Sequence, residues 1–202
     1  MANQSPPQRV ADQRQLEEMV RRRTGETIDL LARLREDASS IARLIAAVRT
    51  VLDRGGMLAT AGNGGSAAEA MHLAEELVGR YRSNRPPRGA ISLVADSTAL
   101  TCIGNDFGFD AIFERQVEAL LRPGDALLVL STSGRSPNLI RALDAARSRG
   151  VTTIGLLGRD GGPCRDRCDV SLVVPAEDSA QIQEAHQVIM HLICEALEPP
   201  SE

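Results

Sequence analysis

From residue 12 to about 54, apolar side chains recur at three- and four-residue steps. Ile41, Leu44, Ile45, Val48 and Leu52 fall on one stripe, so the spacing predicts amphipathic helix. Gly25 is expected to divide this region into two helices, and Gly55-Gly56 to end it. The period then changes. "MLATA" (57–61), "GAISLVA" (89–95), "DALLVLS" (125–131), "VTTIGLLG" (151–158) and "DVSLVVP" (169–175) are short, mostly apolar runs that read as buried strands. Helical stretches separate them: one from Ser66, two over roughly 97–103 and 109–121, one from Pro137 to Arg149, and a last one over about 179–198. Apolar strands alternating with helices build βαβ units. The expected fold is therefore α/β: a doubly wound, mainly parallel five-stranded sheet flanked by helices, with an N-terminal helical extension. Residues 1–10 are polar and contain prolines, and are expected to be disordered; residues 11–202 form one domain.

In such sheets ligands bind beyond the carboxyl ends of the strands. "GNGGS" (62–66) follows the first strand. Its glycines let the backbone approach a ligand, and the following helix N-terminus offers free N–H groups to an anion. Ser66 and Glu69 also have the spacing of a capping box, which can coexist with anion binding. "STSGRSPN" (131–138) follows the third strand. It sets the hydroxyls of Ser131, Thr132, Ser133 and Ser136 around one glycine, with Ser136 as N-cap and Pro137 opening a helix. Two such loops at one sheet edge point to a phosphate monoester. A dinucleotide fits less well, because no G-x-G-x-x-G follows the first strand.

His72 and Glu76 are four residues apart and share a helix face. In the last helix Gln183, Gln187 and His191 step by four along one stripe of an otherwise apolar segment, where long polar side chains need partners. His186 belongs to another face. Two histidines, a glutamate and a glutamine can bind a divalent metal or serve as acid and base.

Composition narrows the chemistry. All 23 basic residues are arginine. The absence of lysine removes Schiff-base and Walker-A mechanisms. The net charge of −4 and the scarcity of aromatic residues argue against a nucleic-acid partner. No apolar run is long enough to span a membrane and the N-terminus lacks a signal-peptide core, so a cytoplasmic protein is expected. Cys164 and Cys168 lie in "GGPCRDRC", which lacks two further zinc ligands nearby and reads as a polar loop.

Together "GNGGSAAEAMHLAEEL", "GNDFGFDAIF", "STSGRSPN" and "QIQEAHQVIMH" resemble the sugar isomerase (SIS) domain family and, within it, the phosphoheptose isomerases. The similarity runs from about residue 12 to 198, with the four motifs in order. It implies the SIS fold and conversion of sedoheptulose 7-phosphate to D-glycero-D-manno-heptose 7-phosphate by enediol proton transfer. It further implies substrate contacts from Asn63, Gly64, Gly65, Glu76, Asn105, Asp106, Ser131, Thr132, Ser133, Ser136 and Gln183. Zinc would be held by His72, Glu76, Gln183 and His191, with Glu76 and His191 as the acid/base pair. Homotetramers with active sites between subunits are implied as well. One departure is Arg135, where the family usually has asparagine; it either adds a phosphate contact or lies in solvent. Relatives also include a non-enzymatic regulator that binds the replication initiator protein DnaA, and sugar-phosphate sensors. The presence of both Glu76 and His191 favours the enzyme.

Overall fold

Five of the apolar runs form strands in the computed structural model, which describes residues 12–199. They are β1 (Leu58–Gly62), β2 (Ala90–Ser92), β3 (Ala126–Ser131), β4 (Thr152–Gly158) and β5 (Val170–Val174). Their order is β2-β1-β3-β4-β5, and every adjacent pair is parallel. The central strands β1 and β3 are buried along their whole length, as a sheet covered on both faces requires. In β3 the pleat sends Ala126, Leu128 and Leu130 to one face, and Leu127 and Val129 to the other.

Among the described residues there are eight α-helices: α1 (Gln13–Glu36), α2 (Ala38–Asp53), α3 (Gly65–Val78), α4 (Ser97–Phe107), α5 (Glu114–Leu120), α6 (Pro137–Ser148), α7 (Gly162–Arg165) and α8 (Ser179–Ala196). On one face Leu44 and Val48 of α2, Leu73 and Leu77 of α3, and Ile182, Ile189 and Ile193 of α8 pack on Leu58, Leu128 and Ile154. On the other, Val117 of α5 and Leu139, Leu143 and Ala146 of α6 pack on Ala59, Leu127 and Val129. Thus α3 leaves β1 toward one face and α6 leaves the adjacent β3 toward the other. Between them, beyond the carboxyl ends of the strands, the chain opens the crevice where ligands bind in doubly wound sheets.

Local differences from the sequence expectation have identifiable causes. The N-terminal helices separate at Asp37, not at Gly25. Gly25 has open space around it, and one glycine inside a helix costs only about 1 kcal/mol. The capping box does not form. Helix α3 starts at Gly65 with Gly64 as N-cap, which makes Ser66 a buried first-turn residue and leaves Glu69 in the interior. Ser136 stands at the N-cap of α6, but its side chain makes no capping bond. Strand β2 is shorter than its apolar run, and the segment 109–121 is a 3₁₀ turn (Phe109–Ala111) followed by α5. The "GGPCRDRC" segment is not a polar loop. It folds as α7 and buries Cys164 in the core, where burial pushes the thiol up to about 11; Cys168, also desolvated, is pushed up to about 12. Both are free thiols. The expectation of disorder for residues 1–10 lies outside the described residues.

Leu128 lies at the centre of β3 and is fully buried. Leu128→Ala should lower stability by about 2–5 kcal/mol, read as a lower urea midpoint with an unchanged slope.

Candidate active site

Strand β1 delivers the chain to Asn63 and Gly64. Gly64 has φ +57°, a left-handed conformation that side-chain-bearing residues adopt at a cost, and this turns the chain directly into α3. The Asn63 carbonyl accepts the Ser66 N–H, and the Gly64 carbonyl accepts the Ala67 N–H. The Gly64 carbonyl also lies 3.4 Å from the Ala68 N–H, so the turn itself takes up the N–H groups of Ser66, Ala67 and Ala68. The Gln183 amide lies over this turn: a Cβ at Gly65 would come within 2.9 Å of its Cδ. Glycine at 65 therefore makes room for a side chain from α8.

The second loop follows β3. Ser131 Oγ accepts the Gly134 N–H at 2.9 Å, and Ser133 Oγ accepts the Arg135 N–H at 3.3 Å. The Ser179 hydroxyl donates to Thr132 Oγ1, which joins the loop to the start of α8. The two loops are tied together by a reciprocal pair. Asn63 Nδ2 donates to Asn138 Oδ1 at 3.0 Å, and Asn138 Nδ2 donates to Asn63 Oδ1 at 2.9 Å. Asn138 is only 1% exposed, so this pairing satisfies an amide that has little access to water. Arg135 is exposed and ion-paired with Asp160.

His72 and Glu76 lie on α3 and His191 on α8, two helices packed side by side on one face. Each of the three can bring one ligand atom within 4.8 Å of the others. His72 Nε2 is 3.2 Å from Glu76 Oε1, while Glu76 Oε2 is buried without a hydrogen-bond partner. A buried, half-satisfied carboxylate between two imidazoles fits a divalent cation with nitrogen and oxygen ligands.

Four neighbours hold this cluster. Gln187 Nε2 lies 2.8 Å from His72 Nδ1 and 3.2 Å from His191 Nε2. The Tyr81 ring stacks on His191 with centroids 5.6 Å apart, and the Arg82 guanidinium lies over the Tyr81 ring, 4.9 Å from its centroid. The Arg85 guanidinium donates to the Glu76 and Leu77 carbonyls at 2.9 and 3.1 Å and pairs with Glu198 beyond the end of α8. Deeper in, His186 is fully buried and lies 3.9 Å from the buried Glu69 carboxylate, another contact between α3 and α8.

The sequence-predicted residues therefore fall into three groups. Asn63, Gly64, Gly65 and Gln183 sit around the α3 N-terminus, which the Asn63–Asn138 pair ties to the segment that carries Ser131, Thr132, Ser133 and Ser136. His72, Glu76 and His191 converge further along the same two helices. Asn105 and Asp106 stand apart on the exposed face of α4, hydrogen-bonded to each other at 2.7 Å. Sequence reasoning named Gln187 only as part of a stripe and assigned no role to Asn138, Tyr81 or Arg85.

The SIS domain family model matches residues 24–158. The phosphoheptose isomerase of Pelobacter propionicus is 53% identical over 161 residues, which cover 80% of this chain and 83% of that protein. The phosphoheptose isomerase of Rhodospirillum rubrum is 44% identical over 183 residues, covering 91% and 97%. Among solved structures, phosphoheptose isomerase GmhA from Neisseria gonorrhoeae superposes with a TM-score of 0.84 at 38% identity, covering 90% of this chain and 97% of that one. The enzyme from Francisella tularensis gives 0.85 at 33% identity, covering 88% and 95%. A doubly wound sheet with a glycine-rich loop after β1 and a serine-rich loop after β3 is thus the frame of an SIS-domain isomerase. The chain belongs to the phosphoheptose isomerase family. These relatives lend no support to the initiator-binding and sensor readings.

Asn138→Ala leaves the Asn63 amide without its partner and frees the first loop from the second. The variant should remain folded and raise KM for a phosphorylated ketose severalfold, measured by steady-state kinetics beside circular dichroism.

Proposed function

We propose that the chain interconverts sedoheptulose 7-phosphate and D-glycero-D-manno-heptose 7-phosphate. The observation that carries this reading is the division of one crevice into two ends. Gln183 and His191 are eight residues apart on α8, about 12 Å along a helix. Gln183 marks the end with helix N-termini and hydroxyls, and His191 the end with the carboxylate and imidazoles. This suits a substrate with a phosphate at one terminus and a carbonyl at the other. Binding energy from the distal phosphate then orients the reacting carbons.

In this reading Asn63, Gly64, Gly65, Ser131, Thr132, Ser133 and Ser136 hold the phosphate and the adjoining hydroxyls, and Gln183 contacts the sugar. Glu76 takes a proton from C1 of the ketose and returns it to C2 of the enediol. His191 moves a proton between O1 and O2, so that the carbonyl passes from C2 to C1. Both groups end as they began, and no redox partner is required. His72, Glu76 and His191 would hold one zinc ion per subunit, while Gln183, the fourth ligand that the family resemblance implies, lies against Gly65 at the other end. When bound, the ion supplies a Lewis acid beside the carbonyl.

A homotetramer with active sites between subunits completes the reading. Helix α1 buries only Leu30 and Leu34, while Leu16, Met19, Val20 and Ile28 are exposed, as are Val188 and Leu192 of α8. Exposed apolar rows on neighbouring helices match a subunit interface. Asn105 and Asp106 would then meet the site of a second copy. A cytoplasmic location is consistent with the described helices, none of which is long and apolar enough to cross a membrane.

Incubation with sedoheptulose 7-phosphate, with and without zinc, and NMR of the C1 and C2 positions should show the aldose forming. Glu76→Gln should abolish this turnover with the fold retained; persistent activity would remove Glu76 as the base. In a second test, Ser133→Ala combined with Ser136→Ala should raise KM by about tenfold or more, in line with the loss of two hydrogen bonds to an anion. An unchanged KM would place the phosphate elsewhere.

A further inference from the structure

A neutral imidazole carries one N–H and one lone pair, and an amide nitrogen only donates. A carboxylate only accepts, so Glu76 Oε1, which faces His72 Nε2 at 3.2 Å, places the proton of a neutral His72 on Nε2 and its lone pair on Nδ1, 2.8 Å from the Gln187 amide nitrogen. The same amide nitrogen lies 3.2 Å from His191 Nε2, so that lone pair is occupied as well. One NH₂ group thus engages both imidazoles of the cluster.

This arrangement and a bound cation exclude each other. A cation at His72 Nε2 displaces the proton there. The neutral ring then carries its proton on Nδ1, and two N–H groups would face one another across 2.8 Å. A cation at Nδ1 instead consumes the lone pair that Gln187 uses. In both cases the amide can no longer donate to His72. A half-turn about the last side-chain torsion of Gln187 resolves the conflict without moving the backbone, because it exchanges Nε2 for Oε1. The oxygen can accept a proton from His72 Nδ1, and the lone pair of His191 is released.

We infer that Gln187 is a positioning residue for cation binding, whose side-chain amide turns over as a divalent cation enters at His72 Nε2 and changes from donor to acceptor at His72 Nδ1. In the turned state it fixes the ligating tautomer of His72, as the outer partner of a metal-bound histidine does. The geometry favours Nε2 as the ligating atom, since that nitrogen faces Glu76, the other ligand on α3. This inference rests on the proposed metal site but not on the identity of the sugar.

The test measures zinc affinity of the full chain by competition with a chromophoric chelator. Gln187→Leu should bind zinc about 10- to 100-fold more weakly. Gln187→Glu presents an acceptor in either orientation and should bind at least as tightly as the unaltered protein. ¹⁵N spectra of the unaltered protein should show the His72 proton moving from Nε2 to Nδ1 on zinc addition. Should Gln187→Leu fail to fold, Gln187→Met serves in its place with the same expectation. Equal or tighter binding by the apolar variant overturns the inference, because the amide would then only compete with the cation. An unchanged His72 tautomer also overturns it. Isomerisation without any zinc binding removes this inference and leaves the isomerase reading standing. Zinc binding with the expected variant pattern but no turnover does the reverse.

Discussion

The site depends on a topological constraint between β1 and β3. These strands are neighbours and parallel, yet their following helices go to opposite faces of the sheet. Two loops must therefore diverge from adjacent strand ends, leaving a crevice that no backbone hydrogen bond closes. The reciprocal Asn63–Asn138 amide pair is the polar bridge across this gap. It sets how far apart the two loops stand, and hence the width of the crevice. Each amide satisfies the other, so the bridge adds no unpaired polar group to a region that is nearly dry.

From there the two ends of the crevice are built by different means. The end proposed to bind the phosphate offers backbone and hydroxyl groups, placed by the glycine turn at Gly64 and by the left-handed Gly134, whose carbonyl accepts the Cys164 N–H. The α7 segment thus acts as a strut beneath the second loop. The other end uses long side chains from α3 and α8, which must be kept from drifting. Contacts between the helices do this at three depths: Gln183 against Gly65, His186 beside Glu69, and Arg85 joining the Glu76 carbonyl to Glu198. A buried charged pair such as Arg85–Glu198 adds little net stability compared with apolar packing. It does fix register, because the two groups cannot slide past each other without leaving a charge unpaired. A change of register between α3 and α8 would separate His191 from His72 and Glu76.

The sheet was legible in the sequence because parallel strands covered on both faces must be continuous apolar runs, and such runs stand out between helices of period 3.6. Strand ends and caps were less so. Ser66 and Glu69 have capping spacing, but Gly64 and the close packing of α3 on β1 start the helix one residue earlier and turn both side chains inward. The loops and the imidazoles were visible as motifs, since glycines, hydroxyls and histidines cluster locally along the chain. Their supports were not. Asn138, Tyr81 and Arg85 act through partners 75, 110 and 113 positions away, and no local pattern marks an amide that pairs across a crevice. Gln187 stood on a visible stripe, but its bearing on His72 needs the packing of α3 against α8.

The charge at the anion end follows from the same packing. The chain has many arginines, and Arg135 sits within the second loop, yet its guanidinium is engaged by Asp160. In the proposed reading the crevice would meet a phosphate with backbone N–H groups and hydroxyls, Arg135 being engaged elsewhere. Such donors act over short range and in fixed directions, so they discriminate by position more than they attract from a distance. A site that must hold one end of a flexible sugar while protons move at the other gains from that choice. In the proposed reading, directional hydrogen bonds would set where the phosphate stops, and the length of α8 between Gln183 and His191 would set where the carbonyl then lies.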